Sequence, residues 1–465
     1  MKRHEKVVQD ELRTLLWFRR DFRLANNPAL GFAQGRGGPM TAIYIESDDL
    51  AREWAPGSAS RWWCHHSLEV LAAQLAEQGI HLHFFKGDPA RIIPALIKET
   101  GATAIAWNRL YEPGEIKLED SVVKALEYVE VKRFDSHLLF TPGTILNQQD
   151  QAYKVFTPFW KNARSRLEVT GVSLVKSKKY QAAETEQPVF KSECKLTDLQ
   201  LLDQHPWHEK LHHHWQPGEV AAHNQVKNFL KHTIDDYDQA RDLPAIEGTS
   251  KMSPHLHFGE ITPAQIVHQL LQKDLLYSGS ASVERFLTEL GWREFAHHVL
   301  WHFPKSTNQP MYKKFDRFWP KQANKKYLTA WQTGNTGIPL VDAGMRQLWE
   351  SGWMHNRVRM IVGSFLTKNL GIHWLHGARW FWDTLVDADL ANNSMGWQWV
   401  AGCGVDAAPY YRIFNPLTQQ QRFDKDMAYV KQWVNEIEDD DYKPIIDLAK
   451  SRETALNRYN QIKGL

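Results

Sequence analysis

Cysteine is scarce. The 465 residues contain three, Cys64, Cys194 and Cys403, widely spaced and with no CxxC pair. That excludes a disulfide framework and points to a reducing compartment, so a cytoplasmic protein is expected. So few thiolates also cannot fill the all-cysteine ligand set of an ordinary iron–sulfur cluster. No hydrophobic run is long enough to span a membrane. The opening stretch MKRHEKVVQDELR is charged and lacks the apolar centre of a signal peptide. A GxGxxG fingerprint is absent, which disfavours a standard nicotinamide-dependent oxidoreductase. Excess charge is missing as well. The net charge of +2 does not by itself imply nucleic-acid binding, so any DNA contact needs a local basic face.

What the chain has in abundance is tryptophan, 20 residues concentrated in the second half. Such an excess serves core packing first, but it also suits stacking on flat rings or moving electrons. The early part alternates buried-strand and helix patterns. TLLWF (14–18), MTAIYI (40–45), IHLHFF (80–85), ATAIAW (102–107) and VEVKRF (129–134) read as strands. Helical stretches such as SASRWWCHHSLEVLAAQLAEQG (58–79) and PARIIPALIKETG (89–101) lie between them. The pattern predicts a doubly wound parallel α/β domain over 13–143, with ligands expected at the carboxyl ends of its strands. Residues 144–222 read as a long surface linker with one short ordered island, YKVFTPFWKNAR (153–164). Within it, HHHW (212–215) reads as solvated residues at a helix start, because three consecutive histidines cannot all face one ion. From 223 to 465 the apolar spacing of three and four predicts an all-α domain.

Four constellations in the helical part can carry chemistry. EGTSKMS (247–253) offers the hydroxyls of Thr249, Ser250 and Ser253, either as helix caps or as an anion site suited to phosphate. Tyr237 and Arg241 lie a turn apart just before it. TELGWREF (288–295) puts Glu289, Trp292 and Arg293 on one helical face, where they could form a Glu–Arg pair beside a core indole or a base-recognition surface. GWMHNRVRM (352–360) sets Asn356, Arg357, Arg359 and Met360 at a helix start, with Asp387 or Asp389 as candidate partners for an inward arginine. Finally DADLANNSMGWQWVAGCGVD (387–406) reads either as a Trp-rich packed turn or as a site where polar groups bind a ring system beside Trp397 and Trp399.

Taken together, LLWFRRDFRLANNPAL, SASRWWCHHSL, YKVFTPFWK, RDLPAIEGTSKMSPHLHFGEI, LGWREF, GNTGIPLVDAGMRQLWESGWMHNRVRM and DADLANNSMGWQW…DAAPYYRIFNP resemble the DNA photolyase/cryptochrome family. The motifs run in the family's order from about residue 14 to the last helix, and within the family they most resemble class I cyclobutane pyrimidine dimer photolyases. The resemblance implies an N-terminal antenna domain and a C-terminal helical domain holding a U-shaped, reduced FAD. It implies light-driven repair by electron transfer from the excited flavin to a flipped-out dimer; the alternative is a cryptochrome-like photoreceptor. Tyr237, Thr249, Ser250, Met252 and Ser253 would hold FAD around its phosphates. Asp387 and Asp389 would contact its isoalloxazine and ribityl side, with Arg359 pairing Asp387, and Asn393 would sit at flavin N5. Glu289, Asn356 and Met360 would meet the dimer and Trp292 would stack on it, with Glu289 protonated so that it can donate to a dimer carbonyl. Trp399 would line the substrate cavity. Arg241, Arg293, Arg357, Arg412 and Gln419 would lie along DNA. Trp397, Trp374 and Trp319 would form an electron chain from flavin to surface. In NRLYEPGE (108–115) Glu115 matches an antenna position, but Gly114 stands where the folate-binding subgroup has Asn, so methenyltetrahydrofolate, a deazaflavin or no antenna stay open. UV-damaged DNA is the expected partner, with no metal and no membrane, and the chain is expected to be a monomer that joins the nucleoid during repair.

Overall fold

The computed structural model describes residues 12–47, 54–175, 188–203, 206–407 and 411–463. Most of the expected surface linker at 176–190, and three residues of the DAAPYY stretch, lie outside them.

Five parallel strands form one sheet: β1 (Thr14–Phe18), β2 (Met40–Glu46), β3 (Leu82–Lys86), β4 (Ala104–Asn108) and β5 (Glu130–Phe134), in the order β3-β2-β1-β4-β5. Successive side chains on a strand point to opposite faces. Leu16 and Phe18 of β1 therefore join one core with Ala42, Tyr44 and Trp62, while Leu15 and Trp17 join the other with Ile43, Ile105 and Trp107. Both faces are covered, which is why the strands read as unbroken apolar runs. The doubly wound expectation holds, and the strand order reverses direction between β1 and β4.

The helical half is built around the 22-residue helix Ala281–His302. Its start is fixed by Ser280, whose hydroxyl accepts from the Val283 N–H. The island expected in the linker is a 15-residue helix, Phe156–Thr170. It is not a surface strap. Phe156, Phe159 and Trp160 are buried against Phe286, Leu290 and Phe295. Gly291 permits this approach, because a Cβ there would lie 2.5 Å from the Trp160 ring. The helical part also begins earlier than 223, with Glu219–His232. A second helical core gathers Trp331, Trp374, Phe381 and Trp397. Among the described residues no helix is long and apolar enough to cross a membrane.

The two halves meet through paired polar groups. Glu294, on the long helix, accepts from the N–H groups of Leu139 (2.9 Å) and Phe140 (3.2 Å), just beyond the sheet. Burial raises its pKa to about 7, against the opposing pull of Arg293 and those two N–H groups. Glu219 likewise receives the N–H groups of Leu24 (2.7 Å) and Ala25 (2.9 Å).

Candidate functional site

A cavity of about 710 Å³ opens inside the helical half. Its walls come from the segment Tyr237–Leu256, the middle of the helix Ala281–His302, the start of Asn356–Ser364 and the helix Leu390–Ala401. Of the residues singled out by sequence, Tyr237, Arg241, Thr249, Ser250, Met252, Ser253, Glu289, Trp292 and Arg293 line it. So do Asn356, Arg357, Arg359, Met360, Asp387, Asp389, Asn393, Trp397 and Trp399. Stretches more than a hundred residues apart in sequence thus share one wall.

Asp389 caps the helix Leu390–Ala401. One carboxylate oxygen accepts from the Asn392 N–H at 2.9 Å and from its amide at 2.7 Å. The other lies 3.4 Å from His257 Nδ1 and 3.6 Å from His297 Nε2. Burial pushes both imidazoles below their ordinary range. Asp389 is itself desolvated, but His297, His257 and Arg293 outweigh that and hold it well below the usual carboxylate range. Arg20, just after β1, reaches His257 Nε2 at 3.4 Å and pairs with Glu112, tying the sheet to this wall.

Arg359 meets Asp387, with one guanidinium nitrogen 2.9 and 3.1 Å from the two oxygens. Its Nε donates to the Met354 carbonyl at 2.7 Å, which fixes the fork. The Asp387 side chain is only 3% exposed, so an unpaired carboxylate there would be costly. Asn393 turns its amide to the Ala378 carbonyl at 3.0 Å. His355 caps the helix Asn356–Ser364, its Nδ1 accepting from the Arg357 N–H at 3.2 Å; burial lowers its pKa to about 4, which keeps that nitrogen an acceptor.

Some expectations need correction. Arg293 does not face outward to DNA. It is buried and donates to His137 O (3.0 Å) and Leu256 O (3.3 Å), with His137 Nε2 at 2.8 Å. Sharing a helical face with Glu289 fixed its direction but not its depth. Glu289 is not an isolated acid in an apolar pocket, because it is ion-paired with Arg241, whose guanidinium also lies over the Tyr237 ring. Arg357 is paired with Asp242 at 2.7 Å and lies over Phe423. Trp292 stacks on Phe156, with centroids 3.7 Å apart and planes 10° from parallel, so only one face of the indole is left for another ring.

Trp399 lines the cavity and donates from its indole to Asp406 O at 3.0 Å. Trp397 is buried, edge-on to Phe381 at 4.9 Å and Trp331 at 6.1 Å. Trp374 and Trp319 both lie against the His373 ring, at 5.7 and 4.8 Å. Gly377 lets Trp397 approach this region, because a Cβ there would fall 2.1 Å from the indole. Arg412 and Gln419 lie outside the cavity wall. The Arg412 carbonyl accepts from Lys368, which burial brings to a pKa of about 7, and Gln419 sits on the helix Pro416–Phe423. Glu115 does not line the cavity and pairs with Arg19 and Arg20.

Sequence reasoning missed His257, His297 and Arg20 around Asp389, Asp242 beside Arg357, and Gly377 under Trp397. His257 lies within HLHFGE and Arg20 within WFRRDF, two of the motifs that carried the resemblance. Asp242 lies in the same motif as His257, directly after Arg241, whereas Gly377 left no local signal.

The comparisons agree with this architecture. A family model described as "DNA photolyase" matches residues 14–181, and one described as "FAD binding domain of DNA photolyase" matches 286–460. The chain belongs to the DNA photolyase/cryptochrome family. It is 39% identical to a deoxyribodipyrimidine photo-lyase of Agrobacterium fabrum, over 97% of this chain and 98% of that protein. It is 38% identical to the Escherichia coli deoxyribodipyrimidine photo-lyase, over 91% and 89%. A crystal structure described as a bacterial class III photolyase from Agrobacterium tumefaciens superimposes with a TM-score of 0.88 at 38% identity, covering 98% of both chains. The motifs had pointed to class I within the family, whereas this structural relative is described as class III.

Proposed function

We propose that this protein repairs cyclobutane pyrimidine dimers in UV-damaged DNA, driven by blue light absorbed by FAD in the cavity of the helical half. The observation that carries the reading is the cavity's wall. It joins hydroxyl groups at Thr249, Ser250 and Ser253, an Arg359–Asp387 ion pair with Asp389 and Asn393, and the aromatic and acidic group Glu289, Trp292 and Trp399. That donor set fits FAD, and the volume lies within the roughly 300–1,000 Å³ of ligand sites.

Tyr237, Thr249, Ser250, Met252 and Ser253 would hold the phosphate-bearing part of the cofactor. Arg359, Asp387, Asp389 and Asn393 would hold its ring and ribityl part. When bound in its reduced form, FAD supplies a photoexcitable electron donor. The wall keeps two buried carboxylates in fixed places, one paired by Arg359 and one held by a helix N-terminus and the His257 and His297 rings. Trp397, Trp374 and Trp319 would carry electrons inward to the cavity. All three indoles are buried, so the outer one, Trp319, lies beneath the surface rather than on it as the resemblance implied.

A photolyase acts on bases taken out of the stack. Trp292 and Trp399 would receive the extruded dimer on their free ring faces, with Asn356 and Met360 beside it. As the protonated acid, Glu289 would donate a hydrogen bond to a dimer carbonyl. Its pairing with Arg241 means that lesion entry exchanges one partner for another, and a donor aimed at developing charge is worth most in a dry site. Arg241, Arg357, Arg412 and Gln419 would follow the backbone, where contacts position rather than specify. Glu115 could hold a folate or deazaflavin antenna. The three cysteines are free, which suits a reducing cytoplasm, where the chain would act as a monomer.

Incubation with UV-irradiated oligo(dT), in blue light and in darkness, tests the reading. Dimers should disappear in light only. No repair by chemically reduced, FAD-loaded protein would overturn it in favour of a photoreceptor. Glu289→Ala should lower the repair yield per flash more than it weakens binding to damaged DNA. Equal single-flash yields would remove Glu289 from the reacting centre.

A further inference from the structure

Two imidazoles and a carboxylate meet at the outer edge of the sheet. His81 immediately precedes β3 and His83 lies within it, so the strand's two-residue period puts both rings on one side. β3 is an edge strand. The segment around 190–194 returns along that edge. The Cys194 N–H donates to Phe84 O at 2.9 Å, and the two residues form an antiparallel bridge. This contact delivers Glu193 to the histidines. Its Oε1 lies 3.1 Å from His81 Nε2, and its Oε2 lies 3.0 Å from His83 Nδ1. Three ligand atoms, one from each residue, fall within 4.8 Å of one another.

A plain His–Glu hydrogen bond accounts for His81, whose Nε2 contact with Glu193 has the right alignment. It does not account for His83. That residue is 1% exposed, yet neither ring nitrogen has a hydrogen-bond partner. Its approach to Glu193 is close but misaligned. Leaving a buried polar group unsatisfied is destabilising.

We propose that His81, His83 and Glu193 bind a divalent transition-metal ion of the zinc type, with water completing the coordination. Nitrogen and oxygen ligands around a tetrahedral zinc lie about 3.4 Å from each other. The 3.0 and 3.1 Å contacts run to different oxygens of Glu193, so binding through one of them requires the three ligand atoms, within 4.8 Å of one another, to draw together by up to about 1.4 Å. Two imidazoles select against magnesium and calcium, which take oxygen ligands, and favour zinc and its neighbours. The ion would pin the returning segment to the strand and close a sheet edge that otherwise offers unpaired backbone groups. The site departs from the expectation that no metal is needed, and none of its residues lines the cavity.

Two other groups among the described residues have comparable spacing. His137, His297 and Asp389 belong to the cavity's own network. In His65, His66 and Glu69, the acid is half exposed and already hydrogen-bonded to His66 at 2.7 Å.

Zinc sulfate titrated into chelator-stripped protein tests the proposal, read by calorimetry and by thermal unfolding. Saturable binding and a higher Tm are expected. His81→Ala and Glu193→Gln should each weaken zinc binding at the site by at least ~10-fold, because loss of even an outer-shell partner costs that much. Both should leave the metal-free Tm and the flavin content unchanged. His66→Ala should retain the site. If a second equivalent binds elsewhere, the variants should remove only one. No zinc uptake by the wild type, or unchanged affinity and stoichiometry in both variants, would overturn the proposal.

Discussion

The two halves of the molecule put charge to opposite uses. In a doubly wound sheet, ligands bind where the strand order reverses, outside the carboxyl ends of the strands. Here that place lies between β1 and β4, and the protein fills it with its own side chains. Arg19 pairs with Glu115 and Glu119, Arg20 pairs with Glu112, and the Asn108 amide donates to Asp21 (2.6 Å) and Asn27 (2.7 Å). In the helical half, fixed ion pairs such as Arg359–Asp387 stand on the wall of a cavity large enough for a cofactor. One set of charges closes a ligand position and the other furnishes one. The difference should appear on mutation. Losses in the sheet set should cost stability, and losses in the helical set should cost ligand retention.

Glu119→Ala should have the largest effect. Its side chain is 1% exposed, pairs with Arg19, and accepts from the Leu110 N–H at 3.2 Å. Removing it leaves a buried guanidinium short of a partner, a loss of about 3–5 kcal/mol. Chemical denaturation should show that loss, while the protein that remains folded keeps its flavin. Flavin loss without loss of stability would break the comparison.

Glu294 joins the halves, and its effect depends on pH. Its pKa is raised in the folded protein to about 7 from an ordinary 4.5. A raised carboxyl contributes stability that is fully present below its unfolded pKa and lost as pH rises through the folded value. The wild type should therefore lose stability relative to Glu294→Gln between those limits, by at most ~3 kcal/mol. Unfolding free energies of both proteins across that range would show it, and a pH-independent difference would remove Glu294 as the titrating link.

Arg359→Ala should act on the ligand. Asp387 would lose its cationic partner on the cavity wall, and a charge-assisted hydrogen bond is worth about 1.5–3 kcal/mol. FAD affinity should fall by ~10-fold or more. The flavin-to-protein ratio after dialysis measures it. Unchanged retention would mean that the pair serves folding alone, as in the sheet.

How far the sequence revealed this contrast depends on the kind of contact. The strands were legible because TLLWF and ATAIAW are buried on both faces and need no distant partner to be recognised. The helix Phe156–Thr170 was underestimated because its apolar residues sit inside a polar connector, and only Phe295 and Leu290, far along the chain, make it core. The cavity residues were named through the family's motifs, whereas their local spacing left Glu289 and Arg293 equivalent. Depth separates them, and depth is a property of tertiary packing. Arg20, His257 and Asp389 form a line across the two halves that no single window of sequence contains.

The smallest effect is expected at Glu115, and it separates two accounts of the sheet's filled position. Glu115 shares Arg19 with Glu119, but its side chain is 23% exposed against 1% for Glu119. Water screens it, so its ion pair is worth at most ~1 kcal/mol. Glu115→Gln keeps the shape and removes the charge. If the strand-order reversal is closed by internal pairing alone, the variant should lose less than ~1 kcal/mol of stability and keep the wild-type near-UV absorbance and repair yield. If Glu115 instead holds a second chromophore, the stability change should be just as small while the near-UV absorbance beyond that of flavin disappears. Stability together with the absorption spectrum therefore decides whether the sheet has given up its ligand position or kept a remnant of it at its exposed rim.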